Sequence, residues 1–128
     1  MSMSTAAVVE FASPPFGLAP LTSFTLDRID GAEGLYALRA RSEAVRLFVL
    51  DVLSGDFGYR PQLTDGIRDL IGAARDSDVR VFVVANPADD GVYVNLRAPI
   101  VVHRETGCAA QVILEDQDYP LRAPLVGS

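Results

Sequence analysis

The stretch Val92–Leu125, VYVNLRAPIVVHRETGCAAQVILEDQDYPLRAPL, carries the most legible pattern in the chain. Val92, Val94 and Leu96 alternate with Tyr93, Asn95 and Arg97, a period of two that predicts a half-buried strand. A second apolar run, Ile100–Val102, leads into the polar turn Arg104–Gly107, and a third run follows over Gln111–Leu114. Turn residues with a glycine between two β-branched runs predict a hairpin. Pro99 has no N–H for a sheet ladder, so it belongs at a strand start, an edge or a bulge. The periodicity alone specifies a three-strand meander and no chemistry.

Upstream lie the two most apolar segments, Val45–Val52 (VRLFVLDV) and Val79–Val84 (VRVFVV). Their resemblance to each other is read as two central strands with similar environments, with Asp51 closing the first and Asn86-Pro87 the second. Ala6–Phe11, Leu21–Leu26 and Leu35–Arg41 add shorter strands, separated by Ser13–Gly17 and by the turn-rich Ile29–Gly34. Between the apolar segments, Thr64–Arg75 places Ile67, Leu70, Ile71 and Ala74 at i, i+3, i+4 and i+7, one face of a helix. Thr64 suits its N-cap, Asp65 its positive end and Arg75 its negative end. Gly66 and Gly72 each cost about 1 kcal/mol relative to Ala, so this helix is expected to be short and held by packing. Seven to nine strands and one helix, over about 64–75, suggest a mainly β domain that closes or nearly closes to protect its edges.

The 128 residues suit a single domain, with Met1–Thr5 expected to be disordered. Apolar residues at 49% and charged residues at 22% fit a globular fold rather than a disordered one. The longest apolar run, Val81–Ala85, is far too short to cross a bilayer, and the first 27 residues contain no basic residue of a secretory leader. With a single cysteine, Cys108, no internal disulfide is possible, and a cytoplasmic protein is expected. A formal charge of −6 argues against nucleic-acid binding through a phosphate-neutralising patch. It favours encounter with a basic partner, although a solvated acidic surface that serves solubility is the commoner explanation.

Little here predicts catalysis. One histidine excludes a multi-histidine metal site, and there is neither a phosphate-binding glycine loop nor zinc spacing. His103 and Cys108 flank the predicted hairpin turn, and an imidazolium beside a thiol activates it. An exposed hairpin tip offers no oxyanion donors and no pocket, however, so a surface histidine and a turn cysteine are expected. Asp51, Asp56, Asp89, Asp90, Glu115, Asp116 and Asp118 fall at strand ends or turns, where solvated acids are ordinary. Arg97 is expected to cover an apolar face with its stem.

Asn95-Leu96-Arg97-Ala98-Pro99-Ile100-Val101, then Gly107, Gln111-Val112-Ile113-Leu114, Tyr119 and Arg122-Ala123-Pro124-Leu125 form an ordered set. In that order it resembles the C-terminal signature of the FliW family of flagellar assembly factors. Earlier, Gly17, Leu21–Phe24, Gly31–Gly34, Tyr36-Ala37-Leu38, Leu47-Phe48-Val49, Tyr59 and Leu63 follow the family's order. Two features depart from it: Thr25–Ile29 replaces a Phe-Pro-x-Gly turn, and the segment between Leu38 and Val45 is short. Within the signature, Asn95 and Gln111 are expected to bond backbone groups in the bulge implied by Pro99, and Tyr119 and Arg122 to hold the C-terminal segment on the barrel.

The resemblance implies a small antiparallel β-barrel-like domain without catalytic residues, metal or cofactor. It further implies a protein that binds the RNA-binding translational repressor CsrA and newly made flagellin, so that export of flagellin changes translation. Asp89, Asp90, Glu115, Asp116 and Asp118 are the acidic candidates for contact with the basic CsrA dimer. An apolar cleft between helix and barrel would suit flagellin's terminal helices. Two alternatives stand beside this reading: a flagellin chaperone without CsrA regulation, and a thiol-dependent enzyme using Cys108 and His103.

Overall fold

A computed structural model of the chain describes residues 7–31, 34–52, 61, 63–114, 119–120 and 122–124. Among them are the strands β1 (Ala7–Phe11), β2 (Ser23–Arg28), β3 (Leu35–Ala40), β4 (Arg46–Asp51), β5 (Val79–Ala88), β6 (Gly91–Val94), β7 (Ile100–His103), β8 (Cys108–Gln111) and β9 (Ala123–Pro124). Helix α1 (Asp65–Leu70) and a 3-10 turn at Asp76–Asp78 lie between β4 and β5. The expected disordered start, Met1–Thr5, lies outside the described residues, as do Asp56, Tyr59, Glu115, Asp116 and Asp118.

Strands β4-β3-β2-β1-β8-β7-β5 pair in sequence, and β5 pairs back onto β4, which closes a seven-strand barrel. All of these pairings are antiparallel except β1 with β8, which run parallel through Glu10↔Cys108 and Phe11↔Ala109. Closure leaves the seven strands without a bare edge, the outcome that short amphipathic strands favour.

Because side chains alternate along a strand, the barrel has two apolar faces to bury. Inside it, Val9, Phe11, Phe24, Leu26, Leu38, Val49, Phe82, Ile100, Val102 and Ala109 form one core, with a contribution from every strand of the ring. Phe11 and Phe24 meet edge to face there, with ring centroids 5.4 Å apart. Outside, Leu50, Val52, Val79, Val81, Val83, Val101, Ala110, Val112 and Leu114 form a second core under Leu63, Ile67, Ile71 and Ala73. Strand β5 serves both cores, which is why its sequence is apolar nearly without alternation.

Helix α1 is shorter than the periodicity predicts. Thr64 caps it as expected, its Oγ1 accepting from the N–H of Ile67 at 3.2 Å. The helix ends at Leu70, however, and Gly72 takes a positive φ of 72°. That turn changes which side chains face inward: Ile71 and Ala73 are buried, while Leu70 and Ala74 are exposed. Arg75 lies outside the helix; Arg68 occupies the last turn, donating to the Leu63 carbonyl at 2.7 Å and pairing with Asp65 and with Asp76. The space expected to be an apolar cleft between helix and barrel is packed with the chain's own side chains.

Strand limits near the meander also differ from expectation. Strand β5 continues through Asn86-Pro87 to Ala88, because Pro87 pairs with Val92 beyond Ala85, where the β4 ladder ends, and no sheet donor is required of it on that side. The third strand of the meander is Cys108–Gln111 rather than Gln111–Leu114. Val112 and Leu114 instead donate their N–H groups to the irregular backbone at Pro99 and Arg97 (3.0 and 2.8 Å).

Candidate functional site

Strands β6 and β7 follow the same edge of β5, since β4 occupies the other edge at both Phe82 and Ala85. Between the pairs Ala85↔Val94 and Phe82↔Ile100, only Val83 and Val84 of β5 face the five residues Asn95–Pro99. The surplus chain is a wide bulge, and its backbone groups need partners. Asn95 Oδ1 accepts from the N–H groups of Arg97 and Ala98 at 3.1 and 3.0 Å, an Asx-type turn. Gln111 Nε2 donates to the Ala98 carbonyl at 3.0 Å, and its Oε1 accepts from the N–H of Phe16 at 2.9 Å. One side chain thus ties the bulge to the loop between β1 and β2. Pro99, at the end of the bulge, is fully buried.

The C-terminal segment is held beside this bulge. The N–H of Leu96 donates to the Pro120 carbonyl at 3.2 Å, and β9 pairs with β6 through Tyr93↔Pro124 and Val94↔Ala123. The Arg122 guanidinium stacks 3.5 Å from the centre of the Tyr93 ring, and the Tyr93 hydroxyl donates to Asp90 Oδ2 at 2.9 Å. Tyr119 packs, half-buried, against the outer core. Asp89 and Asp90 come together as exposed residues of the β5–β6 turn. They are the two acidic candidates that lie within the described residues.

His103 and Cys108 end β7 and begin β8, but His103 is no surface residue: it is 8% exposed. Its Nδ1 accepts from the N–H groups of Glu105 and Thr106 at 3.1 and 3.3 Å, so the imidazole organises the turn. Cys108 is half-exposed, and its N–H donates to Thr106 Oγ1 at 3.2 Å. With Nδ1 accepting from the turn, the neutral ring carries its proton on Nε2, so neither nitrogen is left to act as a base toward the thiol.

Asp51 was expected to be a solvated strand-end acid and is buried instead. Arg80 Nη2 donates to its Oδ2 at 3.1 Å and to the Tyr36 hydroxyl at 3.3 Å, while the guanidinium lies 4.7 Å from the centre of the Phe82 ring. This cluster at one end of the inner core escaped the sequence reading. The available signal was an arginine interrupting an apolar run, Val79-Arg80-Val81, in a chain with an aspartate at the end of a comparable run. Among the described residues no group of three or more His, Cys, Asp or Glu side chains is placed to hold a metal ion.

The sequence of residues 1–125 matches the family model described as FliW protein. This chain belongs to the FliW family. A stretch of 66 residues, 50% of the chain, is 35% identical to the flagellar assembly factor FliW of Syntrophus aciditrophicus (strain SB), covering 42% of that protein. Another of 70 residues, 52% of the chain, is 34% identical to the flagellar assembly factor FliW of Shouchella clausii (strain KSM-K16), covering 47% of it. The matched stretches thus span less than half the length of these curated relatives. A crystal structure of the flagellar assembly factor FliW superposes with a TM-score of 0.84 at 23% identity, over 94% of this chain and 86% of that one. That likeness gives the FliW fold.

Proposed function

We propose that this chain is a non-enzymatic flagellar assembly factor that binds CsrA and flagellin in exchange for one another, coupling flagellin translation to export. The observation that carries the reading is the family match across residues 1–125. Family relatives bear the name flagellar assembly factor. The net charge of −6 supports a basic partner such as CsrA, since opposite charge raises the rate of encounter. Asp89 and Asp90, exposed and adjacent at the β5–β6 turn, are the first-contact residues in this proposal. Flagellin's terminal helices need another surface than the helix–barrel space, which the outer core fills.

Calorimetric titration of the purified chain with CsrA and with flagellin, singly and then in competition, tests the proposal. Saturable binding of each, with flagellin displacing CsrA, is the expected result. Binding of flagellin without CsrA would reduce the function to that of a flagellin chaperone. Binding of neither partner would overturn the proposal.

A further inference from the structure

The antiparallel register of β3 and β4 sets Arg39 directly opposite Arg46. Like charges directly opposite each other on a sheet face repel. Both residues are exposed. Arg39 is held by Asp27, Nε to Oδ2 at 3.2 Å, and the Arg46 guanidinium lies 4.9 Å from the centre of the Phe48 ring. The two arginines, with Glu43, Ala44 and Val45, line an open concavity of about 490 Å³. Arg41 stands in the intervening turn, so residues 39–46 carry three arginines against one glutamate in a chain whose formal charge is −6.

We infer that this hairpin face docks an acidic segment of a partner protein, with Arg39 and Arg46 receiving its carboxylates. Charge complementarity supplies the argument. Guanidinium groups present paired donors that match a carboxylate, and a carboxylate between Arg39 and Arg46 relieves the repulsion built into the register. Asp27 and Phe48 hold the two heads in place beforehand, which lowers the ordering cost on binding. The surface is independent of the flagellar reading and opposite in sign to the Asp89–Asp90 turn.

Fluorescence anisotropy with a labelled hexaglutamate peptide tests it, alongside thermal melts of the same proteins. Saturable binding is expected, weakened roughly tenfold or more by Arg46→Glu and by Arg39→Glu, the scale of one lost charge-assisted pair. Arg46→Glu should at the same time raise the melting temperature by about 2–4 °C, because it turns a like-charge pair into an opposite-charge one. A residue retained only for stability would not improve the fold when reversed. The inference is overturned if the peptide does not bind, if Arg46→Glu binds it as well as the parent chain, or if that variant melts lower. Preferential binding of a single-stranded oligonucleotide of equal charge would also overturn the assignment to a protein segment.

Discussion

Gly107 shows how closely single residues are constrained at the β7–β8 turn. Its φ is 78°, and a Cβ there would lie 2.4 Å from the Val8 carbonyl oxygen, while its own carbonyl accepts from the N–H of Glu10 at 3.0 Å. Two constraints therefore act on one residue, a left-handed backbone and a close approach to β1. Gly107→Ala should cost about 2 kcal/mol or more by urea unfolding, since the obstructing atom belongs to backbone that also holds the parallel β1–β8 pairing. Asn95→Ala should cost about 1–2 kcal/mol, because it strips two N–H groups of the bulge of one shared acceptor. Asp51→Ala leaves Arg80 without a carboxylate at a largely buried position. A loss of about 2 kcal/mol is expected from that change, moderated by the stacking of Arg80 on Phe82 and Tyr36. A loss below half that size would mean that water replaces Asp51 without penalty.

At the scale of elements, the C-terminal strap depends on few interactions. β9 has two residues, paired with Tyr93 and Val94, and one stacked arginine beside them. Arg122→Ala should remove about 0.5–1 kcal/mol of cation–π attraction. The sensitive measurement is amide exchange: protection at Leu96, whose N–H donates to Pro120, should fall while Val101 in β7 is unchanged. Equal exchange in both proteins would show that Arg122 does not hold the strap. Sequence periodicity located most strands, yet it misplaced the start of β8 and the end of α1. Val112–Leu114 has strand-like composition, but the N–H groups of Val112 and Leu114 go to the bulge backbone at Pro99 and Arg97 rather than to a regular ladder. Leu70 completed a helical apolar stripe on paper, whereas the positive φ at Gly72 turned the following chain and buried Ala73.

Over the whole molecule, charge is the property that a partner meets first. If CsrA docks as proposed, reversal of Asp89 and Asp90 together should slow its association and flatten the dependence on salt, leaving dissociation little changed. Stopped-flow rates across a salt series measure this, and an unchanged association rate removes the acidic turn from the docking surface. Family membership and the mainly β class were legible in the local order of residues. So was the need for a bulge, because Pro99 lacks a donor and Asn95 and Gln111 are amides suited to irregular backbone. The face on which each side chain falls was not. Val45–Val49 and Val79–Val83 read alike, yet Phe48 packs on the outer core and Phe82 in the inner one, and Arg46 is exposed while Arg80 pairs with buried Asp51. A strand's period of two records that faces alternate; which face is inside depends on pairing register and barrel closure, and those are set by contacts between residues far apart in the chain.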